Sequence, residues 1–138
     1  MSGYIQTNQS ISIPDADFNL TAADSGKIIF FGSTAGVAKT INLPLLAANI
    51  PAGTHYRIVN NSLAALAFPR NITGGAGAMY GGIININANV AATIPVAGLT
   101  TVSFSTASLK GDIVDLYYDG ATWSVTGMGR VNNAITAI

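Results

Sequence analysis

Cysteine and glutamate are absent from the 138 residues, histidine and tryptophan occur once each, and only 9% of the chain is charged. Without cysteine there can be no disulfide, no zinc–thiolate site and no thiol nucleophile. Without glutamate, general acid–base chemistry falls to aspartate, lysine, tyrosine and the single His55. Six Lys and Arg offset six Asp, so the net charge is zero and there is no basic field to gather phosphate backbones. Nucleic acid is therefore not an expected partner. Long apolar runs are also missing. Asn71 to Leu109 carries no charge but is broken by Gly74, Gly75, Gly81, Gly82 and Pro95, leaving no window of about 20 residues for a membrane span. Met1 to Ser10 has no basic run followed by an apolar stretch, so no secretory signal is expected.

What is present is apolar: 49% of the residues, in a chain of the size of one domain. Such a composition excludes disorder, which requires few apolar residues and much charge. Soluble domains average about a quarter charged residues, and a surface much poorer than that is suited to meeting protein.

The dominant pattern is alternation of apolar and polar residues, the period of a half-buried strand. It occurs at Ser10 to Ile13, Thr40 to Leu43, His55 to Val59 and Thr101 to Ser105, where Val102 and Phe104 point inward. Lys27 to Phe31 reads as a strand buried on both faces, and Ala64 to Phe68 as a short strand closed by Pro69. Ile84 to Val90 places Ile84, Ile86, Ala88 and Val90 on one face and Asn85, Asn87 and Asn89 on the other. Ile113 to Tyr118 and Thr122 to Thr126 flank Asp119-Gly120-Ala121, a hairpin signal because Asp-Gly supplies the positive φ of a tight reversal. The Gly-rich run Gly74 to Gly82 reads as a surface loop. Helix is confined to a turn at Thr21 to Asp24, where Thr21 is a capping residue, and a short piece at Leu45 to Asn49. Roughly nine to ten short strands at this spacing predict an all-β fold, a single jelly-roll-like β-sandwich with little helix. The sandwich is expected over residues 18–127, preceded by an N-terminal arm over 1–17 and followed by a C-terminal tail over 128–138.

No constellation points to catalysis, a cofactor or a metal. His55 has no base partner nearby in sequence, and no G-x-S-x-G elbow is present. Asp112, Asp115 and Asp119 cluster, but Asp112 and Asp115 have opposite parity on a strand and the spacing is not that of a calcium loop. Trp123 is read as core, since a large aromatic buries much area, with sugar stacking as the rival reading. The amides of Asn85, Asn87 and Asn89 either bond solvent or meet a neighbouring subunit.

Leu20 to Phe31 (LTAADSGKIIFF), Thr40 to Pro44 (TINLP), Ala52 to Asn60 (AGTHYRIVN) and Gly111 to Gly127 (GDIVDLYYDGATWSVTG) together resemble small β-sandwich structural proteins of phage and related virus particles. That resemblance implies a non-enzymatic virion protein, a capsid decoration or minor capsid protein located on the capsid or tail. It would bind itself, as a homotrimer, and the major capsid protein or another virion protein. The alternative is a tail-fibre or receptor- or carbohydrate-binding module, for which an exposed Trp123, Tyr80 or Tyr117 is needed. The resemblance transfers no catalytic residues. Candidate contact residues are Asn85, Asn87 and Asn89, with Val131, Ile135 and Ile138 of the C-terminal tail, which belong to no recognisable core strand.

Overall fold

The computed structural model describes residues 10–32, 36–45, 49–75, 77–87 and 90–138. They form twelve strands: β1 (Ser10–Ile13), β2 (Phe18–Asn19), β3 (Ile28–Phe31), β4 (Lys39–Asn42), β5 (His55–Asn60), β6 (Arg70–Thr73), β7 (Met79–Asn87), β8 (Val90–Leu99), β9 (Thr101–Phe104), β10 (Ile113–Tyr118), β11 (Trp123–Gly129) and β12 (Ile135–Ala137). Among the described residues the helical content is one 3-10 turn, Ala22–Asp24. Thr21 precedes that turn, and the Asp24 carboxylate reaches back to accept from its N–H and hydroxyl, each at 3.0 Å. Most of the expected helix over Leu45 to Asn49, and Met1 to Gln9 of the expected arm, lie outside the described residues.

The strands divide into a seven-stranded sheet of order β1-β3-β5-β10-β11-β7-β8 and a five-stranded sheet of order β12-β9-β6-β4-β2. The two share one core, giving the sandwich-like all-β architecture that alternation predicts. Phe31 of one sheet meets Phe104 of the other edge to face at 4.8 Å between ring centroids. Trp123 is fully buried beside Tyr56 and Tyr118.

Connectivity differs from a jelly roll. The first six strands alternate between the sheets, so that β1, β3 and β5 stack in parallel in one and β2, β4 and β6 stack in parallel in the other. β7 and β11 are also parallel. A jelly roll is built from antiparallel Greek keys, whereas β1 to β6 wind as a two-sided coil that a hairpin-rich second half then completes. Alternation gives the faces of a strand and says nothing of its neighbour's direction.

Other differences are local. Ala64 to Phe68 is irregular, and the strand starts after Pro69, at Arg70. Ile28 and Phe30 of β3 are half-buried rather than fully enclosed. The last part of the Gly-rich run is not loop but the start of β7. Gly81 makes this possible: at φ +146° a Cβ there would collide with the Val125 carbonyl oxygen, so glycine lets β7 close against β11. β8 was not legible because Pro95 interrupts it, yet it is an edge strand, where proline is tolerated.

The segment expected as a C-terminal tail is part of the fold. β11 runs to Gly129, β12 pairs antiparallel with β9, and Ile135 is fully buried. Ser10 to Ile13 of the expected N-terminal arm likewise pairs with β3.

Candidate interaction surfaces

Because side chains alternate along each strand, the outer face of the seven-stranded sheet can be read row by row from the register. One row runs His55, Tyr117, Ser124 and Tyr80 across β5, β10, β11 and β7. The next runs Arg57, Asp115, Thr126 and Gly82, and the one beyond it Val59, Ile113, Met128 and Ile84. The face therefore has two halves of different chemistry.

The β5–β10 half is polar and aromatic in its first two rows. The Arg57 guanidinium donates twice to Asp115, from Nε at 2.7 Å and from Nη2 at 2.8 Å. This carboxylate raises the Arg57 pKa above its ordinary value. Beside the pair, the His55 and Tyr117 rings stack at 5.3 Å with 17° between their planes. Lys27 closes the rim and pairs with Asp24 at 3.0 Å. Together they enclose a cleft of about 200 Å³ whose floor includes Ile28 and Tyr56.

The other half, β11, β7 and β8, contains no charged residue on three adjacent strands. Its outward side chains include Ile84, Ile86 and Met128, at 39%, 40% and 47% exposure. Ile84 lies opposite Thr93 and Ile86 opposite Ala91, so the patch continues in small and apolar residues to the sheet edge.

This placement inverts the expected parity of β7. Ile84 and Ile86 face out, while Ile83 and Asn85 face in. Asn85 is not a surface amide: its Nδ2 donates to the Ile135 carbonyl at 2.8 Å and its Oδ1 accepts from the Ile135 N–H at 3.1 Å. One side chain thus pairs like a strand residue and ties β7 of one sheet to β12 of the other. Gly129 leaves room for it, since a Cβ there would collide with the Asn85 amide and lie 2.6 Å from the Ala134 Cβ. Asn89 and the side chain of Asn87 lie outside the described residues. Of the candidates near the C-terminus, Ile135 is core, Val131 is half-buried and Ile138 is exposed at its side chain. The Ile138 backbone exchanges hydrogen bonds with Thr101 at 2.8 and 2.9 Å.

The three clustered aspartates serve three separate purposes. Asp115 holds Arg57. Asp119 accepts from the N–H groups of Ala121 and Thr122 at 2.7 Å each, organising the hairpin turn, and these bonds lower its pKa against a small effect of burial. Asp112 is fully buried and accepts from Ser108 Oγ at 2.9 Å and from the backbone N–H groups of Leu109 at 2.7 Å and Arg130 at 3.0 Å. Among the described residues no group of three or more His, Asp or Glu side chains is placed to hold a metal, and no helix is long and apolar enough to cross a membrane.

Two further features escape sequence reading. Arg70 is buried between the sheets, with Nη1 donating to the Ala16 carbonyl at 2.8 Å and its guanidinium 5.4 Å from the centre of the Phe31 ring. Burial lowers its pKa, against the opposing fields of Asp15 and Asp17. At the β2 edge a groove of about 440 Å³ is lined by Leu20, Leu43, Pro44 and Leu45 with Asn19 and Asn42, and among the described residues its lining holds no titratable side chain. Comparison of the chain with protein-family models, with curated proteins and with solved structures finds no match.

Proposed function

We propose that the chain is a non-enzymatic structural protein of a virus particle, a capsid decoration or minor capsid protein that docks on the capsid lattice as a homo-oligomer, with a trimer as the working assembly. The observation that carries this reading is the uncharged outer face of β11, β7 and β8. Burying a charged surface costs desolvation that must be recovered in ion pairs, whereas an uncharged one can meet a copy of itself or a lattice without that penalty. The burial of Trp123 supports the same reading over a module that would recognise its ligand through that ring, while Tyr80 and Tyr117 stay exposed on the face that this assembly leaves free. The resemblance of Leu20 to Phe31 and Gly111 to Gly127 to particle proteins supports the location.

Ile84→Lys tests the surface. The residue is exposed in the isolated chain, so the fold should survive, while a lysine placed among Met128, Thr93 and Ile86 must be desolvated on assembly. Light scattering should show the wild type as a multiple of 14.1 kDa and the variant shifted towards that mass. A monomeric wild type, or an unchanged oligomer in the variant, would sink the assignment of this face.

A further inference from the structure

The β5–β10 half of the outer face carries a chemistry that assembly through the uncharged half does not use. We propose that the cleft formed by His55, Tyr117, Arg57, Asp115 and Lys27 is a binding site for a neutral pyranose glycan.

Both cations at the cleft are already paired, Lys27 with Asp24 and Arg57 with Asp115. The local charge therefore cancels, which removes the field a phosphate or nucleic-acid ligand requires. An extended peptide cannot add to β5 or β10, because each is paired on both sides within the sheet. What remains is a flat aromatic shelf beside an array of directional donors and acceptors.

A pyranose presents the complementary surface: one face of C–H groups and an equatorial rim of hydroxyls. Tyr117 is 53% exposed and stacks on His55, a contact that lowers the cost of ordering its ring under an apolar sugar face. Asp115 is acceptor-only and Arg57 donor-only, fixed side by side by their two mutual bonds. Adjacent sugar hydroxyls, each both donor and acceptor, can bridge such a pair. His55 adds a further acceptor. Its Nδ1 lies 2.9 Å from the Gly53 carbonyl, which can only accept, so in the neutral ring Nδ1 carries the proton and Nε2 is left with a free lone pair. That Nε2 faces Gly26, whose missing side chain leaves the rim of the cleft open.

The Tyr80 backbone lies in the same row beyond Ser124, two strand spacings or about 10 Å from that of Tyr117, and its ring leans over Gly98 of β8, on the side away from Tyr117. A short oligosaccharide rather than a single sugar would span the two aromatics.

Proton NMR of the full chain with lactose, cellobiose, maltose and chitobiose, each taken to about 10 mM so that complexes as weak as roughly 1 mM are populated, tests the site. Saturation transfer to at least one sugar is expected, with shifts confined to the His55, Tyr117 and Tyr80 rings. Tyr117→Ala should weaken binding roughly tenfold. Tyr117→Phe, which keeps the ring, should retain it, and Asp115→Asn should weaken it by removing an acceptor. Ile84→Lys should bind as the wild type does, whatever its oligomeric mass, which separates this site from the assembly surface. No transfer to any of the four sugars, or binding undiminished in Tyr117→Ala with its β-sheet circular dichroism intact, overturns the proposal. An interaction with sialic acid or inorganic phosphate in preference to the neutral sugars overturns it as well.

Discussion

Asp112→Ala should lower the stability of the fold by roughly 3–5 kcal/mol, the scale of leaving two or three buried hydrogen-bond donors without an acceptor. The carboxylate is fully buried and bonds two segments directly, Ser108–Leu109 and Arg130, and a third through Ser108. Oδ2 accepts from Ser108 Oγ and the Leu109 N–H, and Oδ1 from the Arg130 N–H. Ser108 Oγ in turn accepts from Asn60 Nδ2 at 3.0 Å, and Asn60 Oδ1 accepts from the Ser62 N–H at 2.9 Å. Alanine leaves the donors of Leu109, Ser108 and Arg130 without their acceptor, and each buried orphan costs about 1–3 kcal/mol. The Arg130 side chain contributes little to this loss, being more than half exposed and 3.5 Å away. The loss should appear as a melting temperature lower by roughly 10–20 °C in a domain of this size. Asp112→Asn keeps acceptor capacity and should lose distinctly less. A melting temperature within about 4 °C of wild type for the alanine variant would show that water or rearranged loops satisfy these donors.

Asn85→Leu is expected to act on a particular strand before it acts on the whole. The substitution is close to isosteric and more apolar, so a simple burial argument would predict stabilisation. Instead it leaves both the N–H and the carbonyl of Ile135 without the amide that bonds them, at a residue with no solvent exposure. Two orphaned backbone groups at about 1–3 kcal/mol each outweigh the transfer of one leucine side chain. The first consequence should be release of β12 from the edge of the five-stranded sheet. Amide hydrogen exchange at Ile135 to Ala137 should accelerate by a larger factor than at Ile58 or Val114 in the sheet centre. Uniform acceleration would mean that Asn85 supports global stability without acting as a tether, and unchanged exchange would remove its role altogether. The same tether explains why a chain shortened to residue 127 should not behave as a trimmed sandwich: it loses Ile135 from the core and exposes β9 along an unpaired edge.

Much of the fold was legible because alternation is a local consequence of strand geometry. His55 to Val59, Thr101 to Ser105 and the two strands around Asp119-Gly120 take the faces that their patterns predict, and the hairpin pairs Tyr118 with Trp123 as a tight turn requires. The core position of Trp123 followed from its size alone. In β7 the same reasoning selected the wrong phase. Ile83, Ile84 and Ile86 supply apolar residues to both faces, so period 2 fits either assignment, and the preference for asparagine outside decided it incorrectly. Only β12, brought alongside from 50 residues further on, offers the backbone groups that make a buried Asn85 favourable. The parallel coil of β1 to β6 was hidden for a related reason, since the side-chain pattern of a strand is the same whichever way its neighbour runs. The cleft between His55, Tyr117, Arg57 and Asp115 joins residues about 60 apart in sequence through the β5–β10 register. Composition and periodicity by themselves determined that this chain is all-β, sparsely charged and lacking cysteine and glutamate. Which polar residues are buried, which apolar ones are left on the surface and which side chains share a site were decided only by long-range strand pairing, because those properties belong to pairs of segments and not to either one alone.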